Sequence, residues 1–342
     1  SLSLSYFYEG YMKCLLAKQM AFFCCMFVVF SYSHEAEASS KPAEYIDLTP
    51  FFEKFLEKAK DKPSAEQAKI FKKEVIEAYP GILTADAFHF DSAKPFDQSL
   101  AERLEVYMKK IQSITTSWSE SSKSAQNIVN HALSAFLKEF PTAQTPKLFL
   151  IPNLGAIEFD VVSTSKKPLL LIGVDTIALS NLSTVKVSAL LHQELLIQYQ
   201  KQLHAKDSEF QKKPLYWELW TNGLSAYTTK HLNPEISVDD LKISEFSIAD
   251  VIAKKSAIIN QLTQSLHSTS PELKTAYFSE KSKDENVPEM AGIYIGYLIA
   301  KELNQKQPLE LLAKMNSKTL SKVLPDTLAK IAKDSYIIDG NL

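Results

Sequence analysis

The segment 190–200, LLHQELLIQYQ, sets a carboxylate inside an apolar helical pattern. At about 100° per residue, Val187, Leu190, Leu191 and Leu195 draw one apolar arc, and Glu194 falls in its middle. Burying an ionised carboxylate without a partner is costly. A chain that forms this helix must therefore give Glu194 a lysine or tyrosine partner, a wet cleft, or a chemical purpose.

The rest of the composition is that of an ordinary folded protein. With 342 residues, 45% hydrophobic and 23% charged, the chain can build one large core or two moderate ones. The net charge is -2, and Arg103 is the only arginine. Bidentate recognition of phosphate is thus poorly supplied, and no basic cluster alternates with aromatics, so nucleic acid is not an expected partner. Near the amino terminus, Met12, Lys13 and Lys18 precede an apolar run, MAFFCCMFVVF at 20–30, which is too short to span a bilayer. Ala36-Glu37-Ala38 matches a small-x-small cleavage pattern, so residues 1–38 read as upstream residues and a cleaved secretory signal, with an uncleaved anchor as the alternative. Cys14, Cys24 and Cys25 all lie in that segment. A mature chain without cysteine or a stable transmembrane span suits an exported bacterial protein, periplasmic or secreted.

Residues 39–144 read as a helical region. Phe51, Phe52, Phe55 and Leu56, then Ile70, Phe71, Val75 and Ile76, recur at helix spacing, with breaks at Pro63-Ser64 and Pro80-Gly81. Two more helices are expected over 99–117 and 124–140, and the aromatics of this region read as core. After Pro141 the runs shorten: 147–151, 157–162 and 168–174 look like strands, with turns at 152–155 and 163–167. A small meander or mixed sheet should therefore precede a helix beginning near Ser183. Further helices are expected over 215–231, 248–266 and 290–305, followed by short ones to about 333. The expected fold class is α+β, predominantly helical, with residues 145–342 as the second region.

In the zinc-peptidase motif HExxH, two histidines four apart reach one metal from one helix turn, and the glutamate between them activates the bound water. Here Gln193 and Ile197 hold the histidine positions around Glu194. A glutamine amide is a poor zinc ligand and isoleucine is none. His192 sits about 160° around the helix from Glu194, and His204 fits no metal spacing with it, so both read as surface or hydrogen-bonding histidines. Downstream, Trp217, Trp220, Leu224 and Tyr227 mark another apolar helical face, on which Asn222 begins an Asn-Gly pair. Glu218 lies one turn earlier, displaced by about 6 Å, and does not simply replace Asn222.

Five pieces in order carry a resemblance: Pro152 to Gly155, Gly173-Val174-Asp175, Gln193 to Ile197 with Gln200, Asn222 to Tyr227, and Gly292-Ile293-Tyr294-Ile295-Gly296-Tyr297. Together they resemble a family of predicted exported zinc-dependent peptidases of the glutamate-zincin type, over about residues 145–325. The resemblance implies a zincin-like scaffold in which Gln193 and Ile197 replace histidine ligands, Asn222 replaces the acidic ligand, and Glu194 keeps the general-base position. It also implies that Tyr227 and Tyr294 line the cleft. The expected function is an exported, non-catalytic pseudopeptidase without a metal, its cleft kept as a binding or structural element, with a peptide or protein as the candidate partner. One alternative is an active zinc-dependent hydrolase with a non-standard site drawing on His192, His204 or His231. Another is a helical envelope interaction protein with accidental similarity.

Overall fold

A computed structural model of the protein describes residues 45–114, 117–162, 168–241, 243, 245–280 and 284–334. The signal segment, its cleavage site, all three cysteines and the expected turn at 163–167 lie outside the described residues. The chain begins with strand β1 (Tyr45–Asp47), then helices α1 (Thr49–Ala59) and α2 (Ser64–Phe71), which runs into a π-helical turn at Lys72–Ile76. Helices α3 (Phe96–Ile111) and α4 (Trp118–Glu139) lead to strands β2 (Lys147–Ile151), β3 (Phe159–Val162) and β4 (Leu169–Gly173). Next come α5 (Val174–Ser180), α6 (Thr184–Leu203), α7 (Ser208–Lys212) and α8 (Leu215–Leu232), and a 3-10 turn at Asp239–Leu241. Helices α9 (Glu245–Ser265), α10 (Pro271–Phe278), α11 (Ala291–Asn304), α12 (Leu309–Ala313) and α13 (Ser317–Lys333) complete it. The fold is α+β and predominantly helical, as the periodicity predicts.

The sheet is mixed, in the order β1-β2-β4-β3. Strands β1, β2 and β4 are parallel neighbours, and β3 runs antiparallel along the β4 edge, Phe159 opposite Ile172. Strand β1 corrects the reading of residues 39–144 as helical only. Three residues carry no periodicity of their own; they become a strand because β2, some 100 residues away, supplies the ladder, Tyr45 opposite Leu148. Asp47 then holds the start of α1, accepting from Thr49 N at 2.9 Å, and joins it to α4, accepting from Ser122 Oγ at 2.7 Å.

The aromatic residues of the first helices form a core with the sheet rather than apart from it. Phe52, Phe55, Phe71, Phe88, Leu100 and Leu104 pack in one buried cluster with Phe149, Ile151, Leu154 and Leu171. This core crosses position 145, and the described residues belong to one compact unit.

Helices α8 and α11 make the most extensive helix pairing among the described residues. The reason is local: Gly223 and Gly296 face each other with backbones in contact. A Cβ on Gly223 would overlap the carbonyl carbon of Gly296, and one on Gly296 would lie 2.7 Å from the Gly223 Cα and collide with the Leu219 carbonyl. Both partners in each clash are backbone, which cannot rotate aside. Gly223→Ala and Gly296→Ala should each lower stability by about 1–3 kcal/mol or more, read as a fall in the urea midpoint. Leu311→Ala, at a position 49% exposed, should stay within about 0.5 kcal/mol. Unshifted midpoints in both glycine variants would contradict the close approach.

Candidate functional site

Helix α6 is capped by Ser183, whose Oγ accepts from Lys186 N at 3.2 Å, and ends at His204. It packs against α4, α8 and strand β3. Surrounded on three sides, it buries polar residues with apolar ones: Ser188, His192, Gln198 and Gln200 lie inside along with Leu191, Leu195, Leu196 and Tyr199. Glu194 belongs to a different strip. Leu190, Gln193, Glu194 and Ile197 recur at helix spacing and are all half-buried. The apolar arc of the sequence thus misplaces the deepest face, which centres on the His192 side. The periodicity fails there because neighbouring backbone satisfies the buried polar groups.

His192 shows how. Its Nε2–H donates to the Ala132 carbonyl at 2.9 Å, and its Nδ1 accepts from Asn233 Nδ2 at 2.8 Å. Both ring nitrogens are occupied, and burial pulls the pKa down, so the ring is held neutral. His204 Nε2 is likewise engaged, 2.8 Å from the Ala313 carbonyl, and burial lowers its pKa. His231 lies 3.8 Å from Glu139 Oε1. These three histidines are tied to α4, α12 and the end of α8 rather than to Glu194.

Among the described residues Glu194 has no hydrogen-bond or ion-pair partner. Burial raises its pKa first, the Asp160 carboxylate on β3 raises it further, and Lys201 offsets part of the rise. Next to it, Gln198 Nε2 donates to the Val161 carbonyl at 3.3 Å, fixing α6 across strand β3. On α8, Asn222 is also half-buried, but its amide turns back on its own helix. Nδ2 donates to the Glu218 carbonyl at 2.8 Å and lies 3.4 Å from Glu218 Oε2, while Lys274 Nζ sits 3.8 Å from the Glu218 carboxylate.

Zinc requires three or four anionic or imidazole donors. The positions here supply two amides, an isoleucine and one carboxylate, which do not fit it. Among the described residues no three His, Cys, Asp or Glu side chains stand together in a metal-holding group.

The two tyrosines are placed with α11. Tyr227 is half-buried, its hydroxyl accepts from Asn304 Nδ2 at 3.0 Å, and its ring meets Tyr297 edge-on at 5.3 Å. Tyr294 is buried, stacks on Tyr297 with centroids 6.5 Å apart, and lies with Lys230, Val238 and Leu241. Position 227 is about 140° around α8 from Asn222, so the two residues occupy different faces.

One charged residue had no assigned role in the sequence reading. Asp175 is fully buried at the start of α5 and accepts from Tyr107 Oη at 2.8 Å, Asn153 N at 3.0 Å and Gly155 N at 3.2 Å. Burial raises its pKa, and these hydrogen bonds pull it back. They hold a turn in which Leu154 and Gly155 both take positive φ, 58° and 74°. A carboxylate two residues past the apolar strand Leu169–Gly173 is the signal that could have found it, since such a group cannot be buried unpartnered.

The raised Glu194 pKa sets a testable sign. The folded state holds the proton more tightly than the unfolded chain, so the charged form destabilises the protein fully above the folded pKa. That penalty fades as pH falls and vanishes below the ordinary value of 4.5. Glu194→Gln should therefore raise stability at pH 7.5 by on the order of 0.5 kcal/mol, with the gain disappearing near pH 4 in urea titrations. A loss of stability at pH 7.5 would mean that the carboxylate is paired. Comparison of the chain with protein-family models, curated proteins and solved structures gives no match.

Proposed function

We propose that the protein is an exported pseudopeptidase, built on a scaffold like that of the glutamate-zincin peptidases and used for binding a peptide or protein rather than for cutting one. The observation that supports this most is the half-buried strip of α6. It keeps Glu194 at the general-base position and offers no zinc donor at Gln193 or Ile197. The helix lies across an antiparallel edge strand, β3, and against α8, which bears Asn222. A small sheet preceding and packed on this helix is what the zincin reading expects, and the resemblance of the five sequence pieces agrees with it.

The chemistry argues against hydrolysis. In the zincin mechanism the attacking water depends on the metal's charge to bring its pKa near neutral. Glu194, with its pKa raised by burial and Asp160, has no such partner to act on. The reading with a repaired site would recruit His192, His204 or His231, yet the first two are buried in hydrogen bonds to the Ala132 and Ala313 carbonyls. The helical interaction reading lacks a place for the sheet at 147–173 and its contact with α6.

Purified, untagged protein should carry less than about a tenth of an equivalent of zinc by mass spectrometry of the metal, because no three-donor set stands among the described residues. Hydrolysis of a mixed peptide library should equal background in the wild type and in Glu194→Gln alike. Stoichiometric zinc, or a hydrolysis that Glu194→Gln removes, would overturn the proposal.

A further inference from the structure

A cavity of about 970 Å³ opens between α3, α5, the segment 89–94 and the turn at 154–156, and no residue of α6 or α8 lines it. It contains the only arginine of the chain. Arg103 is half-buried, with its guanidinium 5.4 Å over the Phe90 ring. Nη1 donates to the Leu154 carbonyl at 3.4 Å and Nη2 to the Phe88 carbonyl at 3.3 Å. Both bonds are long, and among the described residues no carboxylate pairs with it. A guanidinium carries five N–H donors in a planar fork, so most of its donor capacity is left over.

Independent features converge on the same space. Ser99, one turn before Arg103 on α3, is 7% exposed and its Oγ has no hydrogen-bond partner. Buried hydroxyls in native folds are nearly always satisfied, and this one lines the cavity. The lining charges are Lys94, Arg103, Lys109 and Lys110 against Asp91 and Glu102, and Lys94 pairs with Glu102 at 2.9 Å. A modest positive excess remains. Val106, 54% exposed, and Leu179 give the wall an apolar side. The floor is rigid, because Asp175 fixes both Tyr107 and the backbone of the 152–155 turn.

We propose that this cavity binds a small organic monocarboxylate, the carboxylate lying in the plane of the Arg103 fork and its apolar portion against Val106 and Leu179. A planar carboxylate lays both oxygens in the plane of the fork, whereas a tetrahedral phosphate carries its third oxygen out of that plane, where the fork offers no donor. A phosphate ester shares the oxyanion chemistry, so the probes must separate the two.

Titration calorimetry on the full chain with hexanoate, hexyl phosphate and hexanol does so. Hexanoate should bind saturably, hexyl phosphate at least about threefold more weakly, and hexanol without saturation, since it lacks the charge that the fork recognises. Arg103→Lys should weaken hexanoate about tenfold by losing the fork while keeping the charge. Because Arg103 also touches two loop carbonyls, Val106→Glu is the second variant: at an exposed position it sets a negative charge beside the ligand and should abolish binding. Hexanol binding as tightly as hexanoate, tighter binding of hexyl phosphate, no saturable binding at all, or hexanoate binding unchanged in Val106→Glu would each overturn the assignment.

Discussion

The backbone contact between Gly223 and Gly296 fixes the distance between α8 and α11, and much of the second half of the chain depends on it. With no side chain between them the two helices interlock over their length. Trp217 and Trp220 are then fully buried on α8, and Tyr227 meets Tyr297 edge-on one turn beyond the glycine contact. Helix α6 packs on the α8 that results, so the setting of Asn222 relative to the Glu194 strip is inherited from a pair of missing Cβ atoms. The first half has a comparable node in Asp175, whose carboxylate joins α3, the 152–155 turn and α5 through hydrogen bonds that burial makes indispensable.

These two nodes give several of the sequence pieces that carry the resemblance a structural duty of their own. Pro152 to Gly155 and Gly173-Val174-Asp175 are one hydrogen-bonded unit, needed for the backbone whether or not a metal is held. Gly296, within the late glycine-tyrosine segment, is needed for helix packing. Gln193, Ile197 and Asn222 carry no such structural duty: two are half-buried on α6, and the third bonds only to its own helix. The pieces of the resemblance thus divide into residues that hold the backbone or the helix packing and residues that do neither.

Strands β2, β3 and β4 and helices α6, α8 and α11 are legible from periodicity because their signals are local: short apolar runs for the strands, long helical repeats for the others. Strand β1 is not, because a three-residue strand exists only through its distant partner. The buried face of α6 is not, because apolar count assumes that polar residues avoid the interior. His192 goes inside with both nitrogens satisfied by Ala132 and Asn233, while the more apolar-flanked Glu194 stays on the half-buried strip. The geometry of HExxH positions remained readable since it depends only on helix spacing, whereas the Arg103 cavity has no sequence signature beyond the singularity of that arginine.

The proposed pseudopeptidase reading makes Gln193, Ile197 and Asn222 vacated ligand positions around Glu194. Restoring the donors tests it directly: the triple substitution Gln193→His, Ile197→His and Asn222→Glu, titrated with zinc by calorimetry on protein shown to be folded by circular dichroism. About one equivalent of tightly bound zinc and a zinc-dependent rise in melting temperature are expected, because binding to the folded state alone stabilises it. A folded triple variant that binds no more zinc than the wild type would contradict it.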